Sequence, residues 1–240
     1  MEKMTEKTIG ILGGMGPEAT LELFAKIIAN TPAAKDQEHL RVVIDSNPQV
    51  PDRTAAILHG GPSPVPAMIA GIRALERAGA DFVVIPCVSA HFFLDELQRE
   101  AGLPILSMFD VTAEHIHQHH AHIRTVGMLA TTGTIQGGHF RERLQQAGIE
   151  TLTPAGPDQE RVMAAVYEIK GAPGGRDRDA IGAEIRDISE RLIQRGAQGV
   201  VAGCTEIPLV LKPGDISVPV FDTLLLLARA AVAAARRKPI

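Results

Sequence analysis

The sequence predicts an α/β protein of two pseudosymmetric domains, each a short, mostly parallel sheet flanked by helices. Three observations carry this expectation. Short β-branched apolar runs alternate with longer amphipathic segments, as in parallel α/β chains. Several stretches recur at a constant spacing of 117 residues, which marks a duplicated unit. The only two cysteines, Cys87 and Cys204, share that spacing.

Taken in order, strands are predicted at 8–12, 41–45, 82–86, 104–106, 126–129, 150–153, 199–202 and 218–221. Helices are predicted at 17–29, 65–78, 90–101, 111–119, 138–146, 158–169, 177–195 and 224–237. Pro17 suits a first helical turn, where its missing N–H has no partner to lose. Asp158, ahead of the apolar Val162, reads as an N-cap. Arg53 falls in a predicted loop after Asn47 and Pro48. The duplication pairs Thr8-Ile9-Gly10-Ile11-Leu12 with Thr125-Val126-Gly127-Met128-Leu129, Gly79-Ala80 with Gly196-Ala197, and Val83-Val84 with Val200-Val201. Phe109-Asp110 returns as Phe221-Asp222 at a spacing of 112. The copies end near Asp222, so the helix from Leu224 is expected to cross back to the first domain. The expected domains are 1–106 with 220–240, and 107–219, with the active site in the cleft between them.

Composition narrows the function. A chain of 240 residues, 45% hydrophobic and 22% charged, is neither disordered nor fibrous. Its net charge of −4 supplies no basic field for nucleic acid, and one Tyr with no Trp makes no base-stacking platform. Two cysteines are too few for a disulfide scaffold. The first eight residues hold no apolar signal core. The apolar stretch 223–235 is broken by Arg229 and is shorter than the ~20 residues a membrane span needs. A cytoplasmic protein with no membrane partner is expected.

The cysteines are the first candidates for chemistry. Each follows the C-terminal end of a predicted buried strand, where open parallel sheets place their ligands. Each also precedes a predicted helix start, whose free amides would lower a thiol's pKa. The plain alternative is a buried core cysteine, a common residue. Two equivalent thiols across a cleft suit a base on one face of a carbon and an acid on the other. The run Gly13-Gly14-Met15-Gly16-Pro17 is the second candidate. The amides at Gly14 and Met15 can cradle a carboxylate, while Gly14 to Ala19 formally fits the dinucleotide pattern G-x-G-x-x-A. Pro17 removes one amide from that second reading. Five of nine histidines lie within 115–122, but no Cys, Asp or Glu completes a metal motif there, so no metal is expected.

Five motifs carry a family resemblance. IGILGGMGPEAT (from Ile9), VPDRT (from Val50), PCVSAH (from Pro86), ATTGT (from Ala130) and GCTE (from Gly203) occur in the order seen in the aspartate/glutamate racemase family. The chain resembles most its cofactor-independent aspartate racemase branch. The resemblance implies a homodimer that racemises a free amino acid without pyridoxal phosphate or metal. It implies Cys87 and Cys204 as the two acid/bases, and Arg53 and Lys170 as holders of the substrate's distal carboxylate. Asn47, Val88, Ser89, Thr131, Thr132 and Thr205 are expected to join Gly14 and Met15 around the substrate; Thr131 and Thr132, in the strand-end loop of the second copy, either donate hydroxyls to substrate or cap the helix beginning near Gly138. One position departs from the family: Val88 stands where Asn is usual, and it lacks the amide that would help hold the α-carboxylate. Left open are other enzymes of the superfamily (hydantoin racemase, maleate isomerase, decarboxylase), an NAD-dependent oxidoreductase, and a non-catalytic small-molecule binder.

Overall fold

The computed structural model describes residues 6–171 and 176–236. Among these, all paired strands run parallel, in two sheets. The first contains β1 (Ile9–Gly13), β2 (Val42–Ser46) and β3 (Phe82–Val84) in the order β2-β1-β3. The second contains β4 (Thr125–Ala130), β5 (Glu150–Leu152), β6 (Val200–Gly203) and β7 (Val220–Asp222) in the order β5-β4-β6-β7. A single bridge, Val83 to Ile105, occupies in the first sheet the place β7 holds in the second. The duplication read from sequence is therefore a duplication of topology. The strand expected at 104–106 shrinks to that bridge because Ser107 immediately caps a helix, its Oγ accepting from the Asp110 amide at 3.1 Å.

The helices are α1 (Pro17–Asn30), α2 (Arg53–His59), α3 (Val65–Arg77), α4 (Leu94–Glu100), α5 (Met108–His119), α6 (Thr132–Gly137), α7 (His139–Gln146), α8 (Gly156–Ile169), α9 (Arg178–Gln194) and α10 (Thr223–Arg236). Four expectations are corrected here. Arg53 opens α2 rather than lying in a loop, because the Asp52 carboxylate accepts from the Ala55 amide at 2.6 Å and caps it. The helix expected from 90 begins as a 3-10 turn, Ser89–Phe93, and becomes α-helical only at Leu94. The helix at 138–146 is preceded by a separate one, α6, and Gly138 at φ 79° separates the two. Asp158 is not the cap of α8: Ala155 holds that position and Asp158 pairs instead with Arg191 at 2.7 Å.

Three apolar clusters hold the layers together. One lies between the first sheet and α3 with α4, and includes Leu12, Met68, Ile72, Val83 and Leu97. A second lies between the second sheet and α8 with α9, and includes Val162, Ile185, Leu192 and Val200. The third joins the domains, since Ile9, Ile11 and Leu23 of the first share it with Val126, Met128 and Phe140 of the second. α5, from the end of the first copy, and α10, from the end of the second, both bury their apolar faces in that shared cluster. α10 lies on α1, tied by Arg229 Nε to Asn30 Oδ1 at 3.1 Å. β7 departs from the expected grouping of 220–240 with the first domain: it pairs in register with β6, Val200 to Val220, so the second sheet keeps it.

Val88 lies in the shared apolar cluster at 2% exposure. Val88→Asn is expected to destabilise the fold by about 1–3 kcal/mol, the cost of burying an amide without partners. Chemical denaturation of the variant beside the parent checks this, and an unchanged midpoint contradicts it.

Candidate active site

A cavity of about 250 Å³ lies where the loops after β1 and β2 of the first domain face the end of α8 and the turn after β6 of the second. Gly14, Met15, Arg53, Lys170 and Glu206 line it, with Glu18 toward its edge. Gly14 has φ +90°, and a Cβ there would run into the Asn47 backbone. Only glycine fits, and the loops after β1 and β2 meet without a gap.

Arg53 is fixed by backbone carbonyls. Its Nη1 donates to Val50 O at 3.1 Å and Pro51 O at 2.9 Å, and its Nη2 approaches Met15 O at 3.4 Å. Its Nε is buried without a partner. A buried, unsatisfied guanidinium N–H calls for an acceptor, and a carboxylate is the best geometric match.

Lys170 caps the C-terminus of α8 and faces Glu206 Oε1 at 3.6 Å. Burial works against its charge, but Cys204, Glu206 and Cys87 together outweigh it and hold the ammonium above the usual lysine range. Lys170 therefore couples to both sulfurs. Cys204 Sγ donates to Glu206 Oε2 at 2.9 Å, and Thr205 Oγ1 lies 3.2 Å from the same oxygen. Burial, then the Glu206 carboxylate, push the Cys204 thiol well above its ordinary range, with Lys170 opposing. The lowered pKa expected of a thiol ahead of a helix is thus reversed at Cys204. The segment beyond this cysteine forms only a 3-10 turn, Ile207–Leu209, and burial first, then the carboxylate two residues on, set the direction. At neutral pH Cys204 carries its proton, and the standing negative partner of Lys170 is Glu206.

The other expected site residues are placed differently. Cys87 and Cys204 are each 5% exposed and stand outside the cavity lining. Ser89, Thr131 and Thr134 bond one another in a buried triangle with edges of 3.0–3.2 Å, linking the Cys87 turn to the loop after β4. Thr131 also caps α6. The Thr132 hydroxyl accepts from Gln159 Nε2 at 3.2 Å, and the Asn47 side chain accepts from the Gln49 amide at 2.9 Å. Thr205 is buried beside Glu206, and Val88 faces the apolar core. The residue that sequence reasoning left out is Glu206. Its signal was an acid wedged between Cys204 and the apolar Ile207-Pro208-Leu209, where a carboxylate needs a buried partner.

Among the described residues no group of three His, Cys, Asp or Glu side chains is arranged to hold a metal ion, and no helix is long and apolar enough to cross a membrane. His115 packs on His119 and His120, and His115 and His120 pack on Phe221.

The family described as Asp/Glu/Hydantoin racemase matches residues 12–231. An aspartate racemase from Picrophilus torridus superposes with a TM-score of 0.84 at 30% identity, covering 95% of this chain and 94% of its own. An aspartate racemase homologue from Pyrococcus horikoshii superposes with a TM-score of 0.76 at 28% identity, covering 96% and 100%. A broad-specificity amino-acid racemase of Bacillus subtilis is 28% identical over 93% of this chain and 96% of its own length. The chain belongs to the Asp/Glu/hydantoin racemase family and is an isomerase of the amino-acid racemase type.

Proposed function

We propose that this enzyme inverts the α-carbon of a free acidic amino acid, aspartate or glutamate, with Cys87 and Cys204 as its two acid/bases. One observation carries the reading: Arg53, its Nε buried and unpartnered, and Lys170 line one small cavity together. Two cations with an unmet donor recognise a carboxylate beyond the α-carboxylate, and so an acidic side chain. In this reading Cys87 takes the α-proton of one enantiomer from one face of the carbon. The Cys204 thiol, held protonated by burial and by Glu206, delivers its proton from the opposite face, and the new thiolate forms beside Lys170. The opposite enantiomer runs the same transfers in reverse. The Gly14 turn offers amides to the carboxylate charge that builds up on the carbanion. Ser89, Thr131, Thr132, Thr205 and Asn47 hold the walls of the site, and Val88 forgoes an amide contact. The broad-specificity relative suggests that a neutral amino acid is the substrate to test against. The family resemblance supports a cytoplasmic homodimer that needs neither pyridoxal phosphate nor metal.

The test is a panel of free amino acids in D₂O, followed by NMR for α-deuterium and by chiral chromatography. Aspartate or glutamate should exchange and invert fastest, and equal or faster inversion of neutral amino acids overturns the acidic assignment. The same rates are expected after exhaustive dialysis against EDTA and with no pyridoxal phosphate absorbance. Activity that disappears and returns with either additive overturns the two-thiol mechanism.

The Glu206 contact makes a pH prediction. Removing the carboxylate beside Cys204 takes away a negative charge that disfavours its thiolate, so the thiol's pKa falls. Glu206→Gln should therefore move the limb of the pH–rate profile set by Cys204 to lower pH. A limb that stays in place or rises shows that another group sets it.

A further inference from the structure

The charges that line the active-site cavity cancel. Among the described residues, Arg53 and Lys170 bring positive charge to the lining, and Glu206 and Glu18 bring negative charge. Lys170 is matched by Glu206 at 3.6 Å. That leaves Arg53 against Glu18, a carboxylate in the first turn of α1 at the cavity's edge. An anionic substrate would gain little from such a lining, because the attraction of Arg53 is offset by the repulsion of Glu18.

A further charge reaches the edge from outside the lining. Arg178 Nη2 donates to Glu18 Oε1 at 2.6 Å, from α9 of the second domain to α1 of the first. The backbone that carries Arg178 is held on both sides. Two residues earlier, Arg176 is bound by Glu168 at 2.7 Å and by Glu184 at 2.6 Å. The Asp177 carboxylate accepts from the Ala180 amide at 2.7 Å and caps α9. Its own helix does not favour Arg178, since the N-terminal end of a helix disfavours a cation. Its guanidinium answers instead to the Glu18 carboxylate.

We propose that Arg178 is a specificity-determining residue for acidic amino acids. Paired with Glu18, it cancels the one unmatched carboxylate at the cavity's edge and leaves the attraction of Arg53 unopposed. It acts through Glu18 and not by contact with substrate. The assignment deepens the acidic reading given above and rests on it.

The probe is succinate, which is aspartate without its amino group, titrated into the full chain and followed by NMR. Arg178→Gln unmasks Glu18 and should weaken succinate about two- to fivefold at low salt, the scale of a half-exposed charge interaction. Glu18→Gln should tighten it, and the double variant should return to the parent's affinity. Each shift should fade at about 1 M salt, where charges more than about 3 Å apart are screened. Both side chains are half-exposed, so the fold should tolerate the changes, and melting temperatures check that it does. Turnover gives a second readout. In Arg178→Gln, KM for aspartate should rise by the same factor with kcat unchanged, and a fall in kcat with KM in place overturns the assignment. A pair that only fastens the two domains predicts another pattern: both single variants weaken succinate alike, and the double variant does not recover. That pattern, or an affinity unmoved by Arg178→Gln, overturns the role of Arg178 and leaves the acidic reading standing. Failure of succinate to bind the parent overturns both.

Discussion

Cys87→Ala and Cys204→Ala are each expected to abolish inversion while leaving a folded protein. Inversion needs a base on one face of the α-carbon and an acid on the other, and either substitution removes one of the two. Partial steps should survive. Each variant keeps one sulfur, so it should still exchange the α-proton of one enantiomer with D₂O, with retention, and the two variants should prefer opposite enantiomers. Cys204→Ala also removes the donor to Glu206, leaving that carboxylate with Thr205 and Lys170 as partners. Cys→Ser should recover little, because a hydroxyl is a far poorer acid and base near neutrality. If the cysteines only fill the core, alanine would lower stability modestly and spare turnover. Rate per folded molecule, measured with the melting temperature of each variant in hand, separates the two cases, and near-normal inversion in either alanine variant ends the assignment.

Arg53→Ala should depress turnover of aspartate or glutamate by roughly 10–150-fold relative to a neutral amino acid, the equivalent of about 1.5–3 kcal/mol for a lost charge-assisted partner. The ratio between substrate classes is the quantity to read. Arg53 also braces the carbonyls of Val50, Pro51 and Met15, so its removal disturbs the loops for every substrate. That shared loss cancels in the ratio. Equal loss across both classes makes the guanidinium a brace and nothing more.

Much of the architecture was legible in the chain because its signals are local or repeated. Apolar runs of strand length mark β1, β4 and β6, and the spacing of 117 residues places Cys87 and Cys204 at equivalent strand ends. The short helix α2 also left local marks, the Asp52 cap and Gly60 at φ 61° past its end. Seven residues were too few for the apolar period to show them as a helix. The membership of β7 was not local at all, since only pairing with β6 decides it.

By itself, then, the sequence determined two copies of a parallel α/β unit, the glycine turn after β1 and the positions of both cysteines. These depend on backbone conformation and on hydrophobic period, which neighbouring residues set. The tertiary structure alone decided what each polar side chain meets. It brought Glu206 onto Cys204 and Lys170, closed Ser89, Thr131 and Thr134 on one another, turned Val88 into the apolar core, and left Arg53 Nε unpartnered beside a cavity. The physical reason is that a buried polar atom is satisfied by whatever the fold carries to within about 3 Å. For Ser89 and Thr131 that partner lies 42 residues away, a distance over which no local pattern specifies a contact.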